Sequence, residues 1–198
     1  MPESLLVATD LRDQNTYPLS FDAVHQQGIP HRAVHIEIID MDNRYFVWHR
    51  FDGRLEILGG HVDWDGGNDK PESYEEAALR ELDEELQLQL NWNLTTEMIN
   101  QRLQQKIAPT EHIVNQLPST HRNNNEWVTV FRLNWQEEWS DPCNPSWQLS
   151  NEGISPKWMS IDEIEQYCIE KPMDINAALR LLLRRHNILV PLIMHELK

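Results

Sequence analysis

From Ala33 to Ile39 and again from Arg44 to His49, apolar, β-branched and aromatic positions alternate, and Asp40-Met41-Asp42-Asn43 separates the two runs. Alternation with a period of two, interrupted by turn residues, predicts a β-hairpin. A short strand is expected over Ser4 to Thr9, then a polar connector from Asp10 to Ser20. Leu55 to Leu58 reads as a strand ending in Gly59-Gly60-His61-Val62. The Asn-rich stretch before Glu126 reads as a loop, and Trp127 to Trp135 as a strand. Beyond a segment broken by Pro142, Pro145 and Pro156, Lys157 to Met159 supplies the last strand.

The helical segments carry a longer period. In Tyr74 to Gln87 the residues Ala78, Leu79, Leu82 and Leu86 form one apolar stripe, and Ser73 with Glu76 has the spacing of a capping box. Thr95 to Lys106 is a polar, amphipathic helix by pattern. Ser160 with Glu163 opens another helix that runs to about Glu170, where Lys171-Pro172 stops it, and Asp174 to His186 forms the last. Strands mixed with helices that pack on them make the chain α+β.

One flank of the first helix carries chemistry. Glu81-Leu82-Asp83-Glu84-Glu85 places acids at four of five consecutive positions. At about 100° per residue, Glu81, Glu84 and Glu85 fall within an arc of roughly 100°, beside the apolar stripe. Like charges three and four residues apart destabilise a helix by roughly 0.2 to 0.5 kcal/mol per pair, which makes the cluster a poor choice for a solvated face. Three convergent carboxylates suit a hard divalent ion such as Mg2+.

With these residues in place, the chain resembles the Nudix hydrolase family. Its box reads glycine, five residues, glutamate, seven residues, then Arg-Glu-U-X-Glu-Glu-X-Gly-U, where U is aliphatic. Glu72, Arg80, Glu81, Leu82, Glu84, Glu85 and Leu88 match in register. Gly66 satisfies the five-residue count, but the family glycine closes a strand, as Gly59-Gly60 does. The reading adopted is therefore an insertion of six residues, with eleven between Gly60 and Glu72. Gln87 stands where the family has a helix-ending glycine. More weakly, His25, Gly28 and His31-Arg32-Ala33-Val34-His35 are similar to the opening of Nudix proteins related to isopentenyl-diphosphate isomerase. Glu152, Trp158-Met159-Ser160 and Asp162-Glu163-Ile164 are similar to their closing segment.

The resemblance implies an α/β/α sandwich with a mixed sheet and extra helices in an insertion and at the C-terminus. It is read as one domain with its core over about 30–170. It also implies a Mg2+-dependent hydrolase, with Mn2+ as a substitute ion, that directs water onto phosphorus in a nucleoside diphosphate linked to another group. Glu81, Glu84 and Glu85 with a carbonyl of Gly59 or Gly60 would hold the ion, and Glu72 and Arg80 would support the loop and helix. Glu81 or the late Glu152 would take the proton from water, with Glu126 a weaker candidate. His31 and Arg32, beside His35, are candidate phosphate contacts, and Trp64 in the inserted loop is a candidate stacking group. Two rivals are an isomerase on the same fold and a non-catalytic ligand-binding module. The isomerases use a cysteine just before the box, and Arg54 to Gly60 contains none.

Composition narrows the partners. The chain has 198 residues and a formal charge of -15, from 17 basic and 32 acidic residues, which argues against binding nucleic-acid duplexes. No apolar run approaches the 18 or more residues of a membrane span, and Met1-Pro2-Glu3-Ser4 opens neither a signal nor a transit peptide, so the cytoplasm is the expected compartment. Cys143 and Cys168 suggest neither a disulfide framework nor a zinc knuckle. Asp63, Asp65, Asn68 and Asp69 fail the EF-hand pattern at Gly67, Asn68 and Tyr74. Arg180, Arg184 and Arg185 are read as a surface or homodimer-packing helix rather than a DNA-binding one.

Overall fold

The structure, a computed structural model, describes residues 5–50, 52–65, 69–86, 103–104, 110–117, 122–135, 143, 153–172 and 174–188. Its centre is the strand β3 (His31–Ile39), buried along almost its whole length. On one side β3 pairs in parallel with β11 (Arg122–Asn134), and on the other in antiparallel fashion with β6 (Leu58–His61) and, at its first residue's end, with β1 (Leu5–Thr9). β1 continues into β2 (Thr16–Ser20), and β11 into the antiparallel β10 (Glu111–Leu117). β4 (Tyr45–Arg50) is in register with β3 at one pair, Ile39 and Tyr45, and ladders with β5 (Leu55–Glu56) and β12 (Gly153–Met159). The expected hairpin thus exists as a connection but not as a ladder.

Strand periodicity sorts β3 into two faces. Val34, Ile36 and Ile38 join Phe46, Trp48, Phe131 and Leu133 under the helix α2 (Tyr74–Leu86), which contributes Ala77, Ala78, Leu82 and Leu86. Ile39, Tyr45, Val47 and Met159 pack on the opposite face against α3 (Ile161–Glu170) and α4 (Ala177–Arg185), through Ile164, Leu179, Leu182 and Leu183. Helices therefore cover both faces of a mixed sheet. Each fully buried Leu, Ile or Phe in these layers contributes roughly 1.5 to 3 kcal/mol. On the α4 side, the buried Glu37 accepts from Arg132 at 2.8 Å and from Arg185, which fixes the end of α4 to the sheet.

Local signals explain the helix starts. Ser73 and Glu76 exchange both capping-box hydrogen bonds, at 2.8 and 3.1 Å, and Ser160 with Glu163 does the same at α3. The inserted segment forms a small ladder of β7 (Trp64–Asp65) and β8 (Lys70–Pro71).

Several expectations are corrected. The connector over 10–20 contains β2 and leads into a further helix, α1 (Phe21–Gln27), capped by Ser20 and ended by Gly28 in the left-handed region (φ 64°). The Asn-rich stretch is strand: the ladder to β10 begins at Arg122, because cross-strand pairing overrides the weak β-preference of asparagine. Of the helix expected over 95–106 only β9 (Leu103–Gln104) is described, and it pairs with β11; the rest lies outside the described residues.

Candidate active site

The glycine pair and the box helix meet directly. β6 pairs with β3 through Val34 and Gly60, and through His35 and Gly59, which lays the two glycines across the base of α2. The buried Glu85 accepts the N–H of Gly59 at 3.2 Å. Glu81 sits against Gly60, in the volume a side chain there would fill: a Cβ would lie 2.7 Å from its Oε2. Gly59 is equally constrained, since at φ 152° a Cβ would fall 3.0 Å from the His35 Cα, and closer to the Val34 carbonyl. Glu84 is the outward member of the set, 58% exposed.

Arg80 organises this corner. Its guanidinium grips Glu72 in a fork, Nε to Oε1 and Nη2 to Oε2, both at 3.1 Å, and donates to the His61 carbonyl at 2.8 Å. Its remaining nitrogen reaches Glu81 at 2.8 Å and Glu84 at 3.2 Å. Partial burial works against the Arg80 charge, but the Glu72 hydrogen bonds and the carboxylates of Glu81 and Asp63 outweigh it and hold its pKa above the ordinary arginine value. Glu72 also closes the insertion at its base, accepting from the Asp63 N–H at 3.1 Å while its own N–H donates to the Asp63 carbonyl at 3.0 Å. The extra residues thus leave and rejoin the chain at adjacent points, so the insertion does not disturb the fit of glycines to carboxylates.

Glu81 and Glu84 line a cavity of about 610 Å³ that passes the glycine strand and reaches His25, His61 and Glu126. Here the tertiary structure assembles a second polar group. His25 from α1, His31 from β3 and His61 from β6 hold nitrogen atoms within 4.8 Å of one another. Glu126 from β11 brings Oε1 to 3.7 Å from His31 Nε2 and 3.6 Å from His61 Nε2. The Nδ1 atoms of His25 and His31 lie 2.8 and 3.0 Å from the carbonyls of Phe21 and Ile29; a carbonyl only accepts, so these nitrogens carry protons, and in a neutral ring of this tautomer Nε2 is the atom with the lone pair. The Nε2 atoms of His31 and His61 are enclosed without a hydrogen-bond partner among the described residues.

Burial pushes the His61 imidazole far below its usual pKa, and His35 likewise, so both stay neutral. Burial alone would raise Glu126, but the facing nitrogens of His31 and His61, 3.7 and 3.6 Å away, hold it below the carboxylate range. Three converging imidazoles, two of them with an unpartnered Nε2, and an ionised carboxylate are the donor set of a borderline cation such as Zn2+ or Mn2+. The box carboxylates fit a hard cation.

The structure separates the residues that sequence reasoning grouped. His31 faces the histidine cluster. Arg32, the next residue of the strand, faces the other way: its Nε donates to Asp13 at 2.6 Å, its guanidinium lies over Tyr74, and it is not part of the cavity wall. Trp64 packs against the core under α2 and donates to Asp69 at 3.3 Å, also away from the cavity. Glu152 lies outside the described residues. Sequence reasoning did not join His25, His61 and Glu126, which share no spacing motif. It also missed Glu56, a buried cavity residue whose carboxyl burial pushes up to about 7 against the opposing pull of Arg50 and Asn176.

A mixed sheet between helices, with a carboxylate-bearing helix seated on a glycine strand, defines the class of Nudix-type hydrolases acting on phosphoanhydride bonds. The sequence matches the NUDIX domain family over residues 29–182, and the chain belongs to that family. Among solved structures it is similar to DR0079 from Deinococcus radiodurans, with a TM-score of 0.59 and 20% identity, covering 91% of this chain and 98% of that one. It is also similar to the MutT protein from Methanosarcina mazei Go1, with a TM-score of 0.52 and 18% identity over 80% of this chain and 93% of the other. A NUDIX hydrolase from Nitrosomonas europaea gives 0.50 and 17%, covering 80% and 88%. No curated protein matches the sequence. No helix among the described residues is long and apolar enough to cross a membrane.

Proposed function

We propose that this chain is a Mg2+-dependent hydrolase that cleaves a diphosphate bond in a small substrate, such as a nucleoside diphosphate linked to another moiety. The observation that carries the reading is the seat of Glu81 and Glu85 on Gly60 and Gly59, with Glu84 beside them on the same cavity. Glu81, Glu84 and Glu85, with backbone oxygen from the glycine strand, would hold the hard cation. Once bound, such an ion neutralises diphosphate charge and makes the attacking water more acidic. Arg80 and Glu72 position the carboxylates and need not touch substrate. Glu81, enclosed beside Gly60, is the carboxylate best placed to accept the water proton. Glu152 stays a candidate for the same role.

The histidine cluster favours a second cation at His25, His31, His61 and Glu126, within the same cavity as the box. There the Phe21 and Ile29 carbonyls orient the imidazoles, an arrangement that supports a metal ligand by fixing its tautomer.

An isomerase on the same fold is disfavoured on thiol chemistry. Cys168 lies on the buried face of α3 and its pKa is pushed up to about 11 by burial, which leaves it a poor nucleophile. Cys143 packs at the edge of the core under α2.

The test uses metal-stripped protein on a panel of nucleotide sugars, dinucleoside polyphosphates, NADH, ADP-ribose and prenyl diphosphates. Turnover restored by Mg2+, with 18O from water in a phosphate product, is the expected result. Turnover that survives thorough chelation, or isomerisation of a prenyl diphosphate without phosphate release, would contradict it. Metal analysis of wild type and His61→Ala after Zn2+ or Mn2+ loading tests the second site: the variant is expected to lose about one equivalent. Equal metal content in the two proteins would remove that site.

A further inference from the structure

Strand alternation turns His31, Ala33, His35 and Glu37 of β3 away from α2. His31 sets its Nδ1 on the Ile29 carbonyl, and Glu37 accepts from Arg132 and Arg185. His35 is left over. It lines the cavity at only 8% exposure, its Nδ1 is enclosed, and neither ring nitrogen has a hydrogen-bond partner among the described residues. We propose that His35 is a substrate-binding residue whose Nε2–H donates to an oxygen of the diphosphate, from the sheet face behind the glycine strand. The proposal rests on the reading of the box as the reaction centre.

Two relations aim the ring. In the ladder of β3 with β6, Gly59 lies directly opposite His35. A Cβ on Gly59 would stand 3.2 Å from His35 Cδ2, so the side of the ring that carries Cδ2 and Nε2 flanks the glycine strand. The same Gly59 gives its N–H to Glu85 at 3.2 Å. One glycine thus separates the imidazole from a box carboxylate, and both approach it because it has no side chain. His35, Gly59, Gly60, Glu81 and Glu84 line one cavity. A diphosphate drawn to a cation at the box would lie along the strand that this edge of the ring flanks.

The enclosure of Nδ1 decides which nitrogen donates. An imidazolium carries a proton on both nitrogens. In a neutral ring the proton belongs on the nitrogen that water or a ligand can reach, because an enclosed N–H without an acceptor forfeits its hydrogen bond to water. Nε2 is therefore the donor on the cavity side in either form. An ionised phosphate oxygen is the acceptor that gains most from it, since such bonds are about twice as strong as neutral ones. A packing role explains the ring less well. His25 and His31 anchor themselves on carbonyls through Nδ1, whereas His35 buries polar atoms that a phenylalanine of similar shape would not carry.

The first test compares wild type with His35→Gln, His35→Asn and His35→Phe in Mg2+, on the compound of the hydrolase panel that is turned over fastest. The glutamine amide nitrogen takes roughly the place of Nε2, and the asparagine amide that of Nδ1. His35→Phe and His35→Asn are expected to lose about tenfold or more in kcat/KM, with Tm held, and His35→Gln to stay within about threefold of wild type. An unimpaired His35→Phe, rescue by asparagine and not by glutamine, or losses that follow Tm in all three variants would each overturn the contact. The second test does not depend on turnover. Two-bond 1H–15N spectra, with the His35 signals identified by their absence from His35→Gln, are recorded with and without Mg2+ and methylenediphosphonate, a diphosphate analogue that water does not cleave. A proton on Nε2 and a shift of that nitrogen on adding the analogue are expected. A neutral ring protonated on Nδ1, or His35 signals unmoved at saturating analogue, would remove the diphosphate contact. Failure of the hydrolase reading shows separately, as no Mg2+-dependent turnover of any compound, and the spectra then decide the role of His35 alone.

Discussion

The carboxylate of Glu81 occupies the place where residue 60 would carry a side chain, so Gly60 and Glu81 fit together only because residue 60 is glycine. Gly60→Ala should push the carboxylate out and weaken Mg2+ binding by about tenfold or more, read as loss of the Mg2+-dependent shift in Tm. Gly66→Ala should leave that shift unchanged. The reverse pattern would return the box to the literal five-residue count and remove the insertion reading.

Glu84 and Glu85 differ in what they do for the fold. Glu84 is 58% exposed, so Glu84→Gln should change stability by no more than about 0.5 kcal/mol while lowering kcat by about 100-fold. The buried Glu85 accepts from Gly59, and its glutamine variant should lose activity and also about 1 kcal/mol of stability, as a charge-assisted bond becomes a neutral one. Denaturant melts and steady-state rates at saturating Mg2+ separate the two. An active Glu84→Gln enzyme would place the cation elsewhere.

Arg80 serves Glu72, Glu81, Glu84 and a backbone carbonyl with one planar group, which an ammonium cannot do. Arg80→Lys is expected to cost about 1 to 3 kcal/mol, less than a fully enclosed pair because the side chain is 25% exposed. In a double-mutant cycle with Glu72→Gln the coupling should be about 0.5 kcal/mol or more. Additive effects would show that the fork contributes nothing to the seat of α2.

Glu56 predicts a pH effect of unusual sign for a carboxylate. Burial raises its pKa from 4.5 in the unfolded chain to about 7, with Arg50 and Asn176 opposing. Between those values the folded protein binds the proton and the unfolded chain does not, so the stability contributed by protonation is full below the lower value and is lost as pH rises through about 7. The difference amounts to roughly 3 kcal/mol across the window. His35 and His61, with pKa values held down by burial, act oppositely and lose stability as pH falls. The effect of Glu56 is therefore read as the difference between wild type and Glu56→Gln in urea melts at pH 5 and pH 8. Wild type should gain relative to the variant at pH 5, and a constant difference would refute the assignment.

Signals that act within a few residues were legible in the chain. The apolar stripe of α2 and the Ser73–Glu76 cap mark the helix because its contacts recur every three or four residues. The arc of Glu81, Glu84 and Glu85 follows from the same geometry, and the spacing of Glu72 from Arg80 already named the pair that forms the fork. Even the opposite directions of His31 and Arg32 were implicit in strand alternation.

What the sequence by itself determined is this local frame: the box helix, its carboxylate face and the glycine strand it needs. The tertiary structure alone decided what surrounds them. His25, His31, His61 and Glu126 come from four elements joined by long-range pairing, and no local period links their positions. Arg50, Arg54, Glu56 and Asn176 share a wall only because α4 returns to the β4–β5 turn, through the Asn176 N–H to the Leu55 carbonyl at 3.2 Å. The strand character of the Asn-rich stretch was likewise decided by its β10 partner. Side-chain chemistry within one turn or strand is set by backbone periodicity, whereas a cavity wall is set by which distant surfaces bury one another.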